Sequence, residues 1–184
     1  MATTPKLLTY EEWLKLPEVE GIEEVVNGEI RKMPPNKWNH ASIIEELADQ
    51  LRSGIDRKAV FVVTTIFGLV IRREPVTTRV PDIAVFIRAN MLKQDGYVHS
   101  APELVVEVLS PGNTRAERTE KLRDYESLGV PEVWVLSPEA ETLEVLQLRD
   151  GRLITTSLLR EGSIAPLHFP AATVDLAAIW AAAK

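Results

Sequence analysis

Glu107 stands where an apolar strand should carry no charge. In PELVVEVLS, residues 102–110, side chains of an extended chain alternate between two faces. Val105, Glu107 and Leu109 then share one face, and Leu104, Val106 and Val108 share the other. Both faces are apolar except at Glu107, the pattern of a strand buried on both sides. An unpartnered carboxylate there is costly or stays protonated, so Glu107 is expected to be paired or to hold a metal. A second acid, Asp82, starts the apolar run in RVPDIAVFI, residues 79–87, directly after Pro81. If the two strands are neighbours, Asp82 and Glu107 converge at one end of a sheet. Two close carboxylates repel unless a cation sits between them. Oxygen-only ligands suit Mg²⁺ or Mn²⁺, and Mg²⁺ takes one or two carboxylates while keeping several waters.

A basic group completes this set. Lys121 and Tyr125 are four apart on a helix predicted over 114–128 and share a face, with Arg118 three residues before the lysine. Leu122, Tyr125 and Leu128 mark the inward side, which puts Lys121 at the border of the buried face. Each residue also has an ordinary reading. Glu107 can be half of a buried ion pair with Arg118, Lys121 or Arg123. Asp82 can be a turn residue bonding nearby amides. Lys121 can belong to a solvated basic face with Arg115, Arg118 and Arg123. Spacing alone leaves these open.

The elements that must position these groups follow from local pattern. Thr9 and Glu12 form a capping box for a short helix that Pro17 ends. Asn27-Gly28 signals a two-residue hairpin. Ile43, Ile44, Leu47 and Leu51 have helical spacing over 39–53, with Gly54 as the stop. Strands are expected at 59–65, 67–72, 80–87 and 103–110, with a polar loop over 88–100. After the helix at 114–128 and Gly129 come strands at 131–137, 142–149 and 152–159, the last two joined by Asp150-Gly151. The tail, AATVDLAAIWAAAK, reads as a short Ala-rich helix. Strict βαβ alternation is absent, so the expected fold is α+β, a mixed central sheet flanked by helices. One domain over 1–184 is expected, with an N-terminal helix and hairpin (9–33), a core (39–137) and C-terminal strands and helix (141–183).

Composition narrows the function classes. The 184 residues are 45% hydrophobic, enough for a packed core. No cysteine is present, which excludes disulfides, thiolate zinc sites and a cysteine nucleophile, and suits a reducing cytoplasm. The N-terminus lacks the basic-then-apolar pattern of a signal peptide, and no apolar run approaches the roughly 20 residues that span a bilayer. With 27 acids against 21 bases the net charge is −6, which opposes nucleic-acid binding without a cation, since phosphate neutralisation supplies most of that affinity.

VPDIAVF, then PELVVEVLSP, then a helix carrying Lys and Tyr in EKLRDYESLGVPEVWVLSP, resemble the Uma2 family of the PD-(D/E)XK nuclease superfamily. The resemblance runs from the N-terminal EEWLKLPE and EEVVNGEIRKMPP segments, through His40, to the strand at 142–149. It implies a restriction endonuclease-like αβββαβ core and a Mg²⁺- or Mn²⁺-dependent endonuclease acting on nucleic acid, DNA more than RNA. It implies that Asp82 and Glu107 are the motif acids. The motif lysine should lie two residues after Glu107, but Leu109 stands there, and in this family a lysine on the next helix takes the role, here Lys121. Glu24 and His40 match family positions near the site, His40 as a base or a hydrogen-bond donor, and Glu117 stands where many relatives have Asp. Val133 and Ser137 depart from the family's Tyr and Asp. The rival expectations are a nuclease-fold protein without catalysis that acts as a binding or assembly module, and a structural Glu107–Lys121 salt bridge in a small dimer-forming domain. Homodimers are expected through the strands at 142–159 or the Ala-rich tail.

Overall fold

The computed structural model describes residues 7–17, 20–35, 37–64 and 66–184. The reading of residues 1–6 as free of a signal sequence lies outside them. The first helix, α1 (Tyr10–Trp13), is a single turn held by the expected capping box, in which Thr9 and Glu12 satisfy each other's backbone amides. Strands β1 (Ile22–Val26) and β2 (Glu29–Met33) form the hairpin at Asn27-Gly28. Helix α2 (Trp38–Ser53) follows, then β3 (Val60–Val63), β4 (Leu69–Arg73), β5 (Val76–Arg79) and β6 (Ile83–Ile87). The segment expected as a loop holds a short hairpin, β7 (Lys93–Gln94) and β8 (Tyr97–Val98). Then come β9 (Leu104–Val108), α3 (Arg115–Leu128), β10 (Glu132–Ser137), β11 (Thr142–Arg149) and β12 (Arg152–Leu159). A small ribbon, β13 (Ser163–Ile164) with β14 (Val174–Asp175), leads into α4 (Leu176–Ala182).

The expected α+β architecture, a mixed central sheet flanked by helices, is present, and a second sheet accompanies it. One six-stranded sheet runs β12-β11-β10-β9-β6-β3, with β9 and β10 parallel and the other neighbours antiparallel. It carries the expected αβββαβ order as α2, β3, β6, β9, α3 and β10. The second runs β2-β1-β5-β4-β8-β7 and gathers the N-terminal hairpin with the strands inserted between β3 and β9. Its key strand is β5, which the expected span 80–87 missed. VTTR lacks an apolar alternation, yet all four residues are buried. The threonines serve as acceptors: Thr78 takes the Val25 amide and Thr77 the Asn27 amide, locking β5 to the hairpin.

Two cores cover the faces of the first sheet. On one, Ile43, Leu47 and Leu51 of α2 pack with Leu104, Val106 and Val108 of β9 and with Leu176, Ile179 and Trp180 of α4. The apolar face of the Ala-rich tail is thus used within the chain. On the other, Tyr125 of α3 packs with Val105 of β9 and Ala84 and Phe86 of β6, with Leu122 and Leu128 partly buried against them. The two-faced reading of β9 therefore holds. Gly54 ends α2 for a reason the sequence does not show: a Cβ there would lie 2.3 Å from Ala172 Cα, so only glycine lets the 171–172 segment pass. Gly129 ends α3 in the left-handed conformation, φ +83°, as expected of a helix stop. No helix among the described residues is long and apolar enough to cross a membrane.

Candidate active site

Strands β6 and β9 bring the two acids together. Their antiparallel register pairs Ile83 with Val106 and Ala84 with Val105, so one residue further Asp82 lies across from Glu107. Glu107 belongs to the face that α3 covers, and Asp82 lies within reach of His40 on α2. Asp82 sits just before β6 rather than in it, and its Oδ2 accepts the Val108 amide at 2.7 Å, which ties it to the end of β9. The ordinary reading of Asp82 as an acceptor of backbone amides is met in this bond. It does not exhaust the carboxylate, which also lines a cleft of about 60 Å³ with Ile44, Ile66 and Pro81.

Glu107 is surrounded by α3. Lys121 Nζ donates to its Oε2 at 2.9 Å, and the Tyr125 hydroxyl donates to its Oε1. Burial, the largest influence, pushes its carboxyl above the ordinary range and the charge of Asp82 adds to this, against the opposing pull of Lys121. Burial likewise works against the Lys121 ammonium, but Glu107 and Glu24 outweigh it and hold the lysine above its ordinary value. These two carboxylates favour its ammonium form. Tyr125 is held well above the ordinary phenol range by burial and then by Glu107, so it stays a neutral donor. Of the three basic partners open to Glu107 from spacing, the structure selects Lys121. Arg118 pairs instead with Glu144 on β11.

His40 reaches the same point from α2. Its Nε2 lies 2.9 Å from the Val108 carbonyl oxygen and 3.5 Å from Asp82 Oδ2. Both are acceptors, so Nε2 carries a proton and donates. Burial opposes the charged imidazolium, but Asp82 and the Val108 carbonyl more than offset it, and the ring titrates above its ordinary value. Its Nδ1 is buried with no hydrogen-bond partner among the described residues. His40 thus links α2 to the end of β9 and to Asp82.

Beneath the pair lies a network that sequence reasoning missed. Arg79, 2% exposed, ends β5 and donates through Nη1 to Glu24 Oε2 at 2.8 Å and through Nε to Asp124 Oδ2 at 2.8 Å. Glu24 of β1, singled out by resemblance, is buried, accepts the Val80 amide at 3.1 Å, and stands 3.5 Å from Lys121 Nζ. The chain Asp124–Arg79–Glu24–Lys121–Glu107 thus joins the second sheet, α3 and the first sheet. The only sequence signal for Arg79 was an arginine flanked by Thr78 and Val80. Glu117 stands apart: its carboxylate accepts from Thr114 N at 2.8 Å and Thr114 Oγ1 at 2.9 Å as the capping box of α3. It shares with Glu107, Lys121 and Asn113 the lining of a second cleft of about 40 Å³.

The donor set fits one hard divalent cation. Asp82 and Glu107 are two carboxylates side by side, and the adjoining clefts hold a few water-sized volumes, each roughly 10–15 Å³. No group of three or more His, Cys, Asp or Glu side chains able to hold a metal occurs among the described residues. Mg²⁺ does not require one, since waters complete its shell.

No match was found among curated proteins. Among solved structures, the chain is similar to a putative nuclease belonging to DUF820 from Anabaena variabilis, with 20% identity and a TM-score of 0.78. The match covers 96% of this chain and 99% of that one. At that identity the likeness establishes the shared nuclease-type fold. The residues that carry the site fall inside a match over residues 9–177 to the family described as "Uma2: Putative restriction endonuclease", and the chain belongs to the Uma2 family.

Proposed function

We propose that this protein is an endonuclease that hydrolyses phosphodiester bonds of nucleic acid, DNA in preference to RNA, with Mg²⁺ or Mn²⁺ held by Asp82 and Glu107. The observation that carries this reading is the pair itself, two acids across the β6–β9 pairing with a half-buried ammonium on one of them. A bound divalent ion supplies Lewis acidity and lowers the pKa of a coordinated water. The protein's own groups do the rest. His40 and the Val108 amide hold Asp82 in place, and Tyr125 holds Glu107. Lys121, paired with Glu107 at 2.9 Å, serves as an electrostatic donor to the phosphoryl oxygens as negative charge builds up. Cleavage of supercoiled plasmid with Mg²⁺ or Mn²⁺ tests the proposal. It is expected in the wild type and lost in Asp82→Ala and Lys121→Ala. Cleavage that survives both variants contradicts it.

A second reading has its own support. Glu107 already holds two donors, and an acidic protein of net charge −6 is poorly disposed to bind a polyanion. On that reading the chain keeps the nuclease fold as a binding or assembly module without catalysis. Metal binding abolished by Glu107→Gln, with no cleavage of DNA or RNA, is the result that favours it. The homodimer expected from the sequence belongs to the same proposal, with the outer strand β12 as its interface, because α4 is committed to the core.

A further inference from the structure

The first sheet ends at β3, whose outer edge has no partner strand among the described residues. Along that edge runs a groove of about 380 Å³ lined by Arg52, Arg57 and Arg88, with Phe61 and Thr64. Asp49 is the one acid on its lining. Three arginines against one aspartate make this a positive strip on a protein whose net charge is negative. Arg88 is fixed in place, its guanidinium 4.5 Å over the Phe61 ring and its Nε donating to the Arg57 carbonyl oxygen at 3.2 Å. Arg52 bonds Thr64 Oγ1 at 3.2 Å and Asp49 at 3.2 Å. The Arg57 side chain makes no hydrogen bond or ion pair among the described residues and is exposed.

The direction of the groove matters as much as its charge. Val60 pairs with Ile87 and Val63 with Ala84, so the Thr64 end of β3 lies beside the start of β6, where Asp82 sits. Thr64 lines both the arginine groove and the cleft that contains Asp82. From Val60 to Thr64 the edge extends about 13 Å at roughly 3.3 Å per residue. A nucleic-acid backbone lying along this length presents more than one phosphate to the arginines.

We propose that the free edge of β3, carrying Arg52, Arg57 and Arg88, is the track on which a nucleic-acid backbone lies as it runs toward Asp82. The proposal rests on the nuclease reading above and names where its substrate binds. A second copy of the chain is the other natural occupant of an open strand edge. Two copies paired through β3 about a two-fold axis would bring their arginines together, six in all by symmetry, with only the two copies of Asp49 to offset them. A polyanion meets no such repulsion.

The test is binding of fluorescein-labelled DNA, as single strand and duplex, measured by anisotropy over a salt series in EDTA, where cleavage is silent. Wild type, Arg57→Gln and Arg52→Gln/Arg57→Gln are compared, each checked for an unchanged thermal transition. The log–log slope of affinity against salt is expected to shrink by about one for each arginine replaced, and Arg57→Gln, at an exposed side chain, carries the result if the double variant misfolds. If wild type binds and cleaves while the variants keep its slope and affinity, the track is overturned and the nuclease reading stands. If the variants instead shift a dimer to monomer with binding unchanged, the edge belongs to a second copy and the track is again overturned. If wild type neither binds nor cleaves, the nuclease reading fails and the track falls with it.

Discussion

Asp82 and Glu107 stand across from each other where β6 meets β9, and the Val108 amide, next to Glu107 in sequence, donates to Asp82 at 2.7 Å. One backbone bond therefore fixes the offset between the two carboxylates, and His40 closes the same corner through the Val108 carbonyl oxygen at 2.9 Å. Glu107 is built into β9, and Asp82 sits one residue before β6, tied to β9 by that bond. Rigid elements of this kind hold reacting groups to within about half an ångström.

Lys121 is expected to matter for rate and little for metal affinity. Because Glu107 and Glu24 outweigh its burial and keep it charged, Lys121→Met removes an electrostatic donor. The expected loss is about 10²–10³ in the single-turnover cleavage rate, the usual cost of one such donor. Calorimetry should still show metal binding. A rate within a few-fold of wild type would show that Lys121 only neutralises Glu107.

Tyr125→Phe isolates the second donor to Glu107. The ring still packs in the core, while the carboxylate loses its hydroxyl partner. Partners of metal-holding carboxylates usually contribute about 10–100-fold to metal affinity, and a decrease of that size is expected in a Mn²⁺ titration. A hydrogen bond to a charged group contributes about 1.5–3 kcal/mol, so the urea midpoint should fall too. An unchanged affinity together with an unchanged midpoint contradicts the role given to this bond.

Arg79 is expected to be the most costly single change outside the apolar core. Arg79→Met leaves Glu24 and Asp124 without their cation in a buried setting. Breaking one side of a buried pair costs about 3–5 kcal/mol. Adding Glu24→Gln removes one of the stranded charges and should recover part of that loss in denaturant unfolding. A single variant within 1 kcal/mol of wild type, about the central size of an ordinary substitution, would remove Arg79 from the account.

The fold was readable where pattern is local, and the site where it is half local. The capping box at Thr9, the hairpin at Asn27-Gly28, α2, α3 and β10 to β12 all follow from spacing. Glu107 was legible because its neighbours in sequence line two separate cores, which leaves a charge conspicuous. Asp82 was legible only through a strand pairing that had to be assumed. Lys121 was legible as a border residue of α3, though spacing could not separate it from Arg118 or Arg123. Arg79 was not legible, because Glu24 and Asp124 lie 55 and 45 residues away and meet it only once β5 joins β1. The division into two sheets was hidden for the same reason: the hydroxyls of Thr77 and Thr78 anchor β5, and no hydrophobic alternation announces them.

A pH dependence of stability is expected away from the metal pair, at Glu132. This carboxylate is buried and accepts the Leu167 amide at 2.8 Å and the Trp134 indole N–H. Burial, the largest influence, raises its pKa in spite of these bonds. A group whose folded pKa exceeds its unfolded value contributes stability that is complete below the unfolded pKa and is lost as pH rises through the folded one. The stability difference between wild type and Glu132→Gln should therefore move against the wild type as pH climbs from about 4 toward neutrality. A difference that stays flat over that range contradicts the assignment.

The most direct measurement of the central claim is a crystal soaked in Mn²⁺ and examined for anomalous density. The account predicts a peak between the carboxylates of Asp82 and Glu107, absent from a Glu107→Gln crystal treated in the same way. Density elsewhere, or none at all with Glu107 still bonded to Lys121 and Tyr125, would contradict it.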